Sequence, residues 1–118
     1  MDEATEGMPH IKEVEIGGHN YSVAGLTDTQ RTNIQRDYED IVKSDSFQQF
    51  YQQYASDNNV NDKVVQNVMK AGKNSATDLV ESGAANAYLA TLQGDDMLKA
   101  RKAIGYTAAA DCSYSGAG

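Results

Sequence analysis

Apolar and polar positions alternate from Ile11 to Ala24. Val14 and Ile16 fall on one side of an extended chain, Glu13 and Glu15 on the other, and Tyr21 and Val23 resume the pattern after Gly17-Gly18-His19-Asn20. The pattern predicts a β-hairpin. A two-residue Gly-Gly turn would pair Ile16 with His19 and Val14 with Tyr21, whereas a four-residue loop would pair Ile16 with Tyr21 and Val14 with Val23. Both registers leave one apolar face, which must be covered because a lone hairpin is marginal in water.

Beyond Gly25-Leu26 the period changes to that of a helix. Thr27-Asp28-Thr29-Gln30 fits a capping box, and Ile34, Tyr38, Ile41 and Val42 follow at i, i+4, i+7 and i+8. Ser44-Asp45-Ser46 offers a break and a new N-cap before Phe47, Phe50, Tyr51 and Tyr54. Asp57-Asn58-Asn59 is turn chemistry, and Asn61 can cap a short helix carrying Val64, Val65, Val68 and Met69 up to Gly72. Ser75 opens a fourth helix whose core side is Leu79, Val80, Gly83, Ala84, Ala87, Tyr88 and Leu92, ending at Gly94. Its small residues would let another element approach the backbone closely. Asp95 can cap a last helix with Met97, Leu98, Arg101 and Ile104, closed by Gly105.

These elements predict an α+β fold, mainly α, with about five short helices packed on one N-terminal β-hairpin. A chain of 118 residues suits one core. The expected organisation is an acidic N-terminal segment at 1–10, one globular domain over 11–105 and a small-residue C-terminal tail at 106–118, which shows no amphipathic period.

Charge narrows the partners. The net charge of -7 and a pI near 4.6 oppose binding to nucleic acid or to anionic lipid, both of which need clustered lysine or arginine. No stretch of about 18 consecutive apolar residues occurs and no signal-peptide pattern opens the chain, so a cytoplasmic location without a membrane span is the expectation. Asp2, Glu3, Glu6, Glu13 and Glu15 face only Lys12 in the opening stretch, which reads as a solvated acidic leader.

Reactive chemistry is sparse. His10 and His19 are the two imidazoles and Cys112 the one cysteine, so no intramolecular disulfide forms and no zinc-ligand spacing is present. Gly17-Gly18 lacks the spacing and the lysine of a phosphate loop, and Asp57 to Asp62 lacks the glycine and distal glutamate of a calcium loop. The pairs Asp37 with Asp40 and Asp95 with Asp96 sit on a polar face or at a cap. No cofactor, metal or catalytic residue is expected, and the chain reads as a non-enzymatic protein-interaction or assembly module, engaging a protein partner or a second copy of itself.

The residues that would carry binding are Phe47, Phe50, Tyr51 and Tyr54, with glutamines between them, and Tyr21 on the hairpin. Tyrosine and phenylalanine are common interface anchors, although the first reading of the same rings is that they form the aromatic part of the core. Stacking on nucleic acid would need adjacent cations, and residues 44–62 contain none. Two alternatives stay open: a ribosomally made precursor modified around Cys112, and a small inhibitor or enzyme whose site assembles only in three dimensions.

Overall fold

The computed structural model describes residues 13–117, with side chains through Asp111. The acidic segment 1–10 with His10, and the side chain of Cys112, lie outside the described residues.

Strands β1 (Val14–Ile16) and β2 (His19–Tyr21) form an antiparallel hairpin in the two-residue register, Val14 opposite Tyr21 and Ile16 opposite His19. Gly17 and Gly18 have φ of 59° and 83°, the left-handed pair that matches hairpin twist and that glycine adopts without strain. Gly18 N–H donates to the Glu15 carboxylate at 2.7 Å, and Gly17 N–H donates to Asn86 Oδ1 at 3.2 Å, fastening the turn to the helical part. Val14 and Ile16 are buried while Glu13 and Glu15 are exposed.

Among the described residues six helices follow. In α1 (Asp28–Lys43) the capping box is complete: Gln30 N–H donates to Thr27 Oγ1 at 3.1 Å, and Thr27 N–H donates to Gln30 Oε1 at 2.9 Å. Ser44 serves two helices, donating to Ile41 O at 2.7 Å and accepting from Phe47 N–H at 3.2 Å, so α2 (Asp45–Asp57) starts where α1 ends. Asn61 Oδ1 accepts from Lys63 N–H to open α3 (Asp62–Met69). Then come α4 (Ser75–Glu81), α5 (Ala84–Leu89) and α6 (Gly94–Ala117).

Two boundaries differ from the sequence expectation. The helix expected from Ser75 to Gly94 is two, because Gly83 takes φ of 84° and Tyr54 Oη donates to Ser82 O at 2.7 Å, satisfying a terminal carbonyl. The last helix does not stop at Gly105. It begins at Gly94, carries Asp95 and Asp96 in its first turn instead of using Asp95 as a cap, and continues to Ala117. Gly105 is buried inside it, and Tyr21 packs against the backbone where a side chain would be.

The buried apolar side chains form one cluster that joins the hairpin to α6. Ala100, Ala103, Ile104, Ala108, Ala109 and Ala110 are buried on α6, which packs most extensively on α1 and α4. Alanine on several sides of one helix has no amphipathic period, yet it is what a helix covered from several directions needs for close backbone approach. Tyr38 Oη and Ser75 Oγ share a buried hydrogen bond of 2.7 Å between α1 and α4.

Tyr51 is fully buried, and its hydroxyl has no hydrogen-bond partner among the described residues. Burial pushes its pKa up to about 12. Tyr51→Phe removes that unsatisfied group at nearly constant shape, and we expect a gain of about 1 kcal/mol in urea unfolding; a loss would reveal that the hydroxyl is bonded in solution.

Candidate functional site

The aromatic residues of α2 point mainly inward. Phe47 and Tyr51 are 0% exposed and stacked, with centroids 5.7 Å apart, and Tyr88 of α5 meets Phe47 edge-on at 5.0 Å. Phe50 and Tyr54 are half-buried and stacked at 5.9 Å, and Phe50 also lies 5.4 Å from Tyr88. Phe47 and Tyr51 therefore have no surface to offer a partner, and Tyr54 spends its hydroxyl on Ser82 O. Tyr21 is half-buried: its Oη accepts from Arg101 Nε at 3.1 Å, and its ring meets Tyr106 edge-on at 5.1 Å. His19 is exposed at the hairpin turn.

A different surface is open. Leu26, Gln30, Ile34 and Asp37 on one side, and Leu98, Lys99, Lys102 and Tyr106 of α6 on the other, line a groove of about 600 Å³. Each wall repeats at near-helical spacing, so the groove runs along two helix faces. Leu98 is 48% exposed, the large apolar side chain left uncovered among the described residues. Sequence reading set Leu98 in the core stripe with Ile104. Six residues of helix rotate it ~120° away, whereas Met97 stays within ~20°. Helix geometry was the signal that could have singled out Leu98.

A second cavity, about 200 Å³, lies between α1, α4 and α6 and is lined by polar groups, including Tyr38, Glu39, Lys73, Ser75, Thr107 and Asp111. The residue before α4, Asn74, makes no side-chain cap. Asp111 supplies one from α6, accepting from the backbone N–H groups of Thr77, Ala76 and Asn74. Burial raises the Asp111 carboxyl to about 6 despite those hydrogen bonds, and the neighbouring Asp78 charge adds to the rise. Sequence reading passed over Asp111 because its donors come from residues more than thirty positions earlier in the chain.

A carboxyl whose pKa is raised in the folded state binds its proton more tightly there than in the unfolded chain, where its value is about 3.9. Stability should therefore fall as pH rises from about 4 to about 6. Thermal melts across this window should show a larger decline for the wild type than for Asp111→Asn; identical slopes would mean that Asp111 is solvated.

Among the described residues no group of three His, Cys, Asp or Glu could hold a metal ion, and no helix is long and apolar enough to cross a membrane. Compared with known proteins, the chain matches no family model, no curated protein and no solved structure.

Proposed function

We propose that the chain is a non-enzymatic assembly module whose docking surface is the groove between α1 and α6, and whose first partner is a second copy of itself. The observation that carries this reading is Leu98, exposed at the edge of an otherwise well-covered apolar core. Two helix walls with an apolar floor suit an amphipathic helix laid between them. The rims carry both signs of charge, Asp37 on α1 and Lys99 and Lys102 on α6, so a two-fold arrangement brings each wall's charge against its complement. Tyr21 rests on Tyr106, which lines the groove, so the free edge of the hairpin continues the same surface.

Sedimentation equilibrium tests the proposal. The wild type should self-associate with a dissociation constant below about 1 mM, worth about 4 kcal/mol. Leu98→Asp should stay monomeric with an unfolding free energy within about 0.5 kcal/mol of wild type, as expected at an exposed position. A wild type that remains monomeric throughout, or a Leu98→Asp variant that associates equally well, would sink the reading.

A further inference from the structure

The groove between α1 and α6 is a positively charged rim on an acidic protein. Lys99 and Lys102 are exposed on its α6 wall and enter no ion pair among the described residues, while its α1 wall brings one acid, the half-buried Asp37. The whole chain carries a net charge of -7. Two unpaired ammonium groups beside the uncovered Leu98 are complemented by an occupant with carboxylates and a few apolar side chains.

Residues 1–12 have that composition and join the fold next to the groove. Asp2, Glu3 and Glu6 outnumber Lys12, and Met8, Pro9 and Ile11 supply apolar surface. The segment leads into β1, where Val14 pairs with Tyr21, and Tyr21 lies edge-on to Tyr106, the last α6 residue along the groove. The α6 wall from Leu98 to Tyr106 is about 12 Å long, and twelve extended residues span about 40 Å. Residues 1–12 are therefore long enough to run the whole groove.

We propose that in the separate protomer this groove is occupied in cis by the chain's own segment 1–12, with Ile11 and Met8 over the apolar floor and Glu6 and Glu3 toward Lys99 and Lys102. The proposal rests on the groove being the docking surface for a second copy, and it names what regulates that surface. A segment tethered this closely presents itself at an effective concentration of about a millimolar, comparable with the dissociation constant expected for the second copy. The two occupants compete. Self-association is held back until the acidic charges of the segment are neutralised or screened by salt.

A nitroxide on Ala4→Cys in the Cys112→Ser background reads the contact in the full chain. In protein dilute enough to be monomeric, the label should broaden the amide resonances of Leu98, Lys99 and Lys102, and Lys99→Glu with Lys102→Glu should abolish the broadening at Leu98. Mixing spin-labelled chains with isotope-labelled chains that carry no spin should give none at this dilution. In sedimentation equilibrium, Asp2→Asn, Glu3→Gln and Glu6→Gln together should tighten self-association about three-fold or more, the worth of one or two exposed ion pairs. The same loss of charge at the exposed Glu39, Asp40 and Glu81 should tighten it less. Broadening confined to the mixed samples, broadening that survives the two lysine reversals, or equal tightening by both triple variants would overturn the proposal. Absent broadening in a protein that self-associates removes this contact alone, whereas broadening in a protein that stays monomeric at every concentration keeps the contact and removes the assembly reading.

Discussion

Phe47→Ala should destabilise the protein by about 3–5 kcal/mol in urea unfolding, whereas Phe50→Ala, three residues along the same helix, should cost distinctly less. Phe47 is 0% exposed, stacked on Tyr51 and met edge-on by Tyr88, so truncation removes ring contacts from two helices at once and leaves a cavity with no nearby chain free to fill it. Phe50 keeps part of its surface in water, so less apolar area is lost and solvent can enter the space. Against a total stability of about 5–15 kcal/mol, the Phe47 loss removes between about a fifth and all of the margin. Circular dichroism of the two variants through a urea series decides the matter. An equal or smaller loss at Phe47 would mean that the aromatic face of α2 is looser than this packing requires.

That contrast also shows how far the sequence reached. The spacing of Phe47, Phe50, Tyr51 and Tyr54 places them on one helix face, but spacing cannot tell a face turned to the core from one turned to a partner. The difference lies in Tyr88, which comes from α5 and supplies the edge that closes over Phe47. Local chemistry was readable where it is complete within a few residues: the Gly17-Gly18 turn, the Thr27 to Gln30 capping box, Ser44 between two helices and Asn61 before the third.

What was not readable depends on pairs far apart in the chain. The groove needs α1 and α6 side by side, the Asp111 cap needs α6 against the start of α4, and the split at Gly83 needs the hydroxyl of Tyr54. Glycine was the most misleading letter, because one residue type serves as helix stop and as contact point. At Gly83 the backbone turns left-handed and the helix ends; at Gly105 it stays helical and the missing side chain makes room for Tyr21. The stretch from Tyr106 to Gly118 reads in sequence as a small-residue tail outside the 11–105 domain, whereas in the structure Thr107 to Ala110 are buried against other elements.

Gly105→Ala measures that contact directly, and we expect a net loss of about 1–2 kcal/mol. In an ordinary helix interior, replacing glycine by alanine stabilises by about 1 kcal/mol. Here the new methyl would stand 2.7 Å from Tyr21 Cγ and 3.0 Å from Cε2, closer than carbon atoms pack. The ring is not free to withdraw: β2 pairing fixes its backbone opposite Val14, Arg101 holds its hydroxyl and Tyr106 braces its edge. Overpacking of this kind costs about 1–3 kcal/mol, enough to outweigh the propensity gain. The decisive comparison is a double-mutant cycle with Tyr21→Ala, because removing the ring removes the obstacle while the helix propensity stays. In that background Gly105→Ala should become stabilising, so the sign of its effect reverses between the two backgrounds. If the single variant is instead stabilised by the usual helix gain, the hairpin does not seat its tyrosine on α6, and the continuity of the hairpin edge with the groove is lost with it.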